Sequence, residues 1–88
     1  MDSNTYKKWA NEEARKLEAL EEDGAAVFYC GERLTEDERA ALPASGWRGG
    51  RARYERLEET ADSNSEAAEG FHMLTQWLRG MLREQAAA

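Results

Sequence analysis

"RARYERLE", residues 51–58, decides which fold the sequence implies. Its side chains alternate: Arg51, Arg53, Glu55 and Leu57 fall on one face, Ala52, Tyr54, Arg56 and Glu58 on the other. A period of two is the pattern of a strand. A second strand is expected at 25–33, within "AAVFYCGERL". Val27, Phe28, Tyr29 and Cys30 are apolar on both faces, as in a strand covered on two sides. The run is short and carries β-branched and aromatic residues.

Helices are expected around these two segments. Over 3–23, Tyr6, Trp9, Ala10, Ala14, Leu17 and Leu20 form one stripe at helical spacing, with Lys8, Arg15, Glu18 and Glu22 opposite. Ser3 or Asn4 can cap the start, and Asp23-Gly24 supplies a stop. Over 63–84, Ala67, Phe71, Leu74, Trp77, Leu78, Met81 and Leu82 make the broadest apolar stripe, and Ser63 with Glu66 has capping-box spacing. A short helix at 35–42 has the same spacing at Thr35 and Glu38, and Pro43 ends it. "PASGWRGG", 43–50, reads as a loop. The order is α–β–α–β–α, a small α+β domain in which two long helices cover a two-stranded sheet. Two strands alone are marginal in water, so the sheet is also open to extension by dimerisation.

The chain has 88 residues, enough for one domain with a small core. A single cysteine, Cys30, forbids an intramolecular disulfide and points to a reducing, cytoplasmic setting. The opening residues have no apolar stretch of the signal-peptide kind. The longest apolar run, "AAVFYC", is far below a membrane span. Net charge is −6, and it is banded. Residues 12–23 hold six acids against Arg15 and Lys16; residues 58–69 hold five acids and no base. This field opposes tight binding to phosphate backbones.

Catalytic patterns are missing. The lone histidine, His72, falls on the polar side of its helix. Cys30, within an apolar strand, would stay protonated. No nucleophile elbow, phosphate loop or dinucleotide fingerprint is present. "DSNSEAAE", 62–69, begins like a calcium loop but has Ala67 and Met73 where glycine and an acid are required. One His and one Cys cannot build a zinc site. No enzyme, cofactor or metal is expected.

Three features have two readings each. The first is "WRGGRARYER", 47–56, which carries Arg48, Arg51, Arg53 and Arg56. These could bind an anion, with Trp47 or Tyr54 stacking on bases, or neutralise the chain's own acids. The negative surroundings favour neutralisation. The second is Glu13, at the centre of an apolar stripe, where a carboxylate is costly unless paired. Either an arginine such as Arg53 or Arg56 meets it inside the fold, which makes Glu13→Ala more damaging than Glu12→Ala, or the stripe is incompletely covered and belongs partly to an interface. The third is the tryptophans. Trp9 and Trp77 suit facing core positions, whereas Trp47, beside Arg48 in a glycine-rich loop, reads as an exposed interface anchor.

No residue-level motif assigns the chain to a family. In size, acidity and lack of catalytic patterns it resembles small phage-encoded inhibitors of bacterial defence such as the anti-CRISPR proteins, a resemblance of kind and composition. It implies an inhibitor that occludes a nucleic-acid-binding enzyme. The expected function is therefore protein–protein interaction with a basic partner surface. Glu12, Glu21, Glu22, Asp23, Trp47, Arg48, Arg51, Arg53, Glu58 and Glu59 form the expected contact set, without membrane or direct nucleic-acid binding. The alternatives are a nucleic-acid module built on the arginines, or a self-assembling subunit such as a homodimer.

Overall fold

The 51–58 stretch is helical. In the computed structural model, which describes residues 2–23 and 28–87, it lies within a helix, Gly50–Ser63. Continued to residue 61, its apolar positions Tyr54, Leu57 and Ala61 recur at three and four and bury one face. Charged residues on the outer face pair along the helix, Arg51 with Glu55 at 3.4 Å. Its Arg, Ala, Leu and Glu residues are also among the better helix formers. Gly49 and Gly50 enter the helix at φ 86° and 51°, a region that disfavours side chains.

The other expected strand is absent too. Residues 25–27 lie outside the described residues, and 28–34 run without strand pairing. Tyr29 alone of Phe28, Tyr29 and Cys30 turns into the core; Phe28 is 73% exposed. Side chains take the place of a ladder. Asp62 accepts from the Tyr29 amide at 2.9 Å, and the Tyr54 hydroxyl accepts from the Leu34 amide at 3.1 Å. Arg33, Arg39 and Arg79 donate to the carbonyls of Tyr29, Leu34 and Arg33. A segment whose buried backbone groups are satisfied this way needs no neighbouring strand. The α+β expectation is thus corrected: the described residues hold helices and no strand.

In chain order the helices are α1 (Ser3–Glu18), α2 (Glu36–Ala41), α3 (Gly50–Ser63) and α4 (Ser65–Ala87), with a 3-10 turn at Pro43–Ser45. Asp2 rather than Ser3 or Asn4 caps α1, accepting from the Thr5 amide at 2.8 Å. α1 stops at Glu18, short of Asp23. The tail beyond it crosses to the α3–α4 junction, where Asp23 accepts from the Ser65 amide and hydroxyl, both at 3.1 Å. Asn64 alone separates α3 from α4. Its side chain accepts from the Ala67 amide at 2.9 Å, so Asn64 and not Ser63 caps α4, and its amide group donates to the Glu21 carbonyl. Thr35 and Glu38 make a reciprocal capping box on α2.

α1 and α4 lie antiparallel. Tyr6 meets Gly80, Trp9 meets Trp77 and Leu17 meets Gly70. Small residues allow the close approach: Ala10 and Ala14 are fully buried on α1, and a Cβ on Gly70 would stand 2.6 Å from Leu17 Cδ2. α3 packs on α4 as a hairpin, with Tyr54 stacked at 4.8 Å on Phe71. The Tyr54 hydroxyl joins Thr75 at 2.8 Å. Among the described residues no helix is long and apolar enough to cross a membrane.

Candidate interaction surface

Two antiparallel helices leave a furrow on each side of their line of contact. α3 occupies one furrow of the α1–α4 pair, with Tyr54 on Phe71 and Arg53 reaching Glu18 and Asn11 of α1. The other furrow is open and contains two depressions. The first, about 210 Å³, is lined by Trp9, Glu12, Glu13, Lys16 and Trp77. The second, about 330 Å³, shares Glu13 and Lys16 and continues over Leu17, Leu20, Gly70 and Met73 to Glu66 and Glu69. Trp9 and Trp77 meet at 5.7 Å with their rings tilted by 55°, and Tyr6 meets Trp9 edge-on at 6.2 Å. Met73 is 42% exposed. The floor is apolar, and both walls carry acids.

Four carboxylates, Glu12, Glu13, Glu66 and Glu69, face this groove against one lysine, a local charge of −3. Among the described residues none of the four has an ion-pair partner. The partner expected for Glu13 is engaged elsewhere. Arg53 bonds Glu18 at 2.5 and 3.3 Å and Asn11 at 3.1 Å, and Arg56 is exposed and makes no ion pair with Glu13. Glu13 instead lies beside the bare backbone of Gly70, where a Cβ would stand 3.6 Å from its carboxyl carbon.

The arginines that do pair form a lattice over α2, α3 and the 28–34 segment. Arg51 grips Glu36 at 2.5 and 3.0 Å. Arg39 joins Glu58 at 3.1 and 3.0 Å and Glu55 at 3.2 Å. Arg33 joins Glu58 at 2.6 Å and Asp62 at 3.1 Å. Arg79 joins Glu32 at 2.6 Å and Glu38 at 2.8 Å. The Arg39 hydrogen bonds, helped by Arg33, hold the Glu58 carboxyl below its usual 4.5. Arg79 does the same for Glu38, and Arg53 for Glu18. Burial pushes the Tyr54 phenol above its usual 10.0.

The expected contact residues are therefore dispersed. Glu12 lines the groove. Glu21 and Asp23 hold the α3–α4 junction, and Glu22 is exposed beside them. Arg51, Arg53 and Glu58 belong to internal ion pairs. Arg48 and Glu59 are exposed outside the groove. Trp47 corrects the expectation of an exposed anchor. It is 3% exposed, its amide bonds Ser45 Oγ at 3.1 Å, and the Arg53 guanidinium lies 5.3 Å over its ring. Cys30, expected inside a strand, is exposed. His72 is exposed, 3.4 Å from the Tyr29 hydroxyl. Among the described residues no group of three or more His, Cys, Asp or Glu is placed to hold a metal ion. Sequence reasoning set Glu66 and Glu69 in an acidic stretch, read Glu66 as a helix cap and Met73 as a position where a calcium loop fails, and assigned none of the three to a contact surface. Only the pairing of α1 with α4 brings these residues together. No known protein family, curated protein or solved structure matches this chain.

Proposed function

We propose that the protein is a non-enzymatic binding protein that docks, through the α1–α4 groove, on a basic surface of another protein and so occludes or regulates it. One observation carries this reading: an apolar groove flanked by four carboxylates that have no ion-pair partner among the described residues. Apolar contact supplies affinity at a protein interface, and complementary charge supplies steering and register. The commitment of Arg51 and Arg53 to internal partners weighs against an arginine-based nucleic-acid module. A cytoplasmic setting belongs to the same proposal, since the exposed thiol of Cys30 suits a reducing compartment. Occlusion of a nucleic-acid-binding enzyme is the form of regulation that the acidic groove favours.

A photo-crosslinker placed at Met73, in the groove, is compared with one at Ala40 on α2 in native cell extract. A basic protein captured from Met73 alone, and lost on Glu69→Lys, supports the proposal. Equal capture from both positions, or capture indifferent to Glu69→Lys, overturns it.

A further inference from the structure

Resting on that docking reading and deepening it, we propose that the groove receives a cationic amphipathic helix of the partner, laid along the α1–α4 seam. Three observations lead there. Both walls are helices, and the described residues hold no strand, so an extended peptide finds no sheet edge to pair with. A helix satisfies its own backbone and needs only side-chain contact. The two depressions also follow one another along α1, sharing Glu13 and Lys16, and together reach from Trp9 to Leu20. That distance is about 16 Å, three helical turns, long enough to hold apolar anchors at i, i+4 and i+7, which themselves span about 10 Å.

Charge selects the chemistry of the flanks. Glu12 and Glu13 stand on one wall, Glu66 and Glu69 on the other, so lysines or arginines on both sides of an apolar stripe meet carboxylates. Met73 and the paired tryptophans offer the adaptable, polarizable floor that such a stripe packs on. A second copy of this chain is disfavoured as occupant, because each copy carries a net charge of −6. Lys16, the lone cation in the groove, weakens the fit and marks where a neutral substitution should strengthen it.

The test uses a synthetic peptide of about 18 residues, built of Leu and Lys with leucines at i, i+4 and i+7. Two isomers of the same composition accompany it, one with Leu and Lys strictly alternating and one with the order scrambled. Titration is followed by amide chemical shifts and by peptide circular dichroism. The helical-period peptide should gain helicity, shift α1 and α4 amides beside the groove, and bind at least about tenfold tighter than either isomer. Glu69→Lys should weaken it by about tenfold or more, Lys16→Gln should tighten it, and Glu84→Lys, outside the groove, should change little. Equal affinity for all three peptides at the groove overturns the helix inference and leaves docking on a basic surface intact. Shifts confined to α2 and α3, or no binding at all, also overturn it, while the crosslinking experiment judges the docking reading separately. Light scattering that shows a dimer whose formation Glu69→Lys abolishes would assign the groove to a second copy and overturn it as well.

Discussion

Arg39 and Glu58 face each other through two parallel contacts, Nη1 to Oε1 at 3.1 Å and Nη2 to Oε2 at 3.0 Å. Their side chains are only 12% and 17% exposed, so this pair is shielded from the screening that weakens surface ion pairs. Glu58 also serves Arg33, which in turn holds the Tyr29 carbonyl. Glu58→Gln should cost about 1–3 kcal/mol, whereas Glu59→Gln, on the exposed face of α3, should stay within about 0.5 kcal/mol. Urea unfolding of the two variants measures the difference.

The same lattice sets the response to acid. The Glu58, Glu38 and Glu18 carboxyls titrate below 4.5 in the folded protein because of Arg39, Arg79 and Arg53. Their stabilisation is fully present above 4.5 and is lost as pH falls through the lower folded values. Unfolding free energy should therefore be level in the neutral range and decline below pH 4.5, with a shallower decline in Glu58→Gln. A decline beginning near neutrality would contradict the lattice as its source.

Trp47 serves the interior. Trp47→Ala should cost about 3–5 kcal/mol, a large fraction of the 5–15 kcal/mol or so typical of a small domain. Trp47→Phe should be milder, because it keeps a ring beneath the Arg53 guanidinium and removes an indole N–H that has no partner among the described residues. Thermal melts of both variants check the order.

Gly70→Ala opposes two effects. Alanine gains about 1 kcal/mol of helix propensity over glycine. Its Cβ would stand 2.6 Å from Leu17 Cδ2, and Leu17 is buried, so either the Leu17 side chain repacks or α1 shifts away from α4. Overpacking of this kind costs about 1–3 kcal/mol. The net effect should be a lower melting temperature together with altered shifts along the groove. A higher melting temperature would show that the seam is looser than these distances imply.

The helical stripes were legible because a period of 3.6 persists over several turns. Ala10, Ala14 and Leu17 of α1, and Phe71, Leu74, Leu78 and Met81 of α4, are buried as their spacing implies. The 51–58 window was too short. Charged and apolar residues alternate over 51–55 and resemble a strand until Leu57 and Ala61 are counted with Tyr54. At 28–34 the apolar character was real, but guanidinium and carboxylate groups from distant residues replace the strand partner. Arg51 and Arg53 of the arginine cluster act as counter-ions, whereas Arg48 and Arg56 form no ion pair among the described residues, and Glu36 and Glu18 become visible as partners only in the fold. Glu13 gains no cation, so Glu13→Ala and Glu12→Ala should differ by less than about 0.5 kcal/mol in unfolding free energy, contrary to the sequence expectation.

The α3–α4 hairpin turns on Asn64 alone, whereas the seam joins Leu17 to Gly70 and Trp9 to Trp77, more than fifty positions apart. Closing so long a loop is entropically harder, and neighbouring contacts form sooner. The hairpin is therefore expected to form early and α1 to dock late. Undocking of α1 opens the groove, and the α1 amides should then exchange with solvent. The groove lasts only as long as α1 stays seated, so a bound partner would protect that helix most.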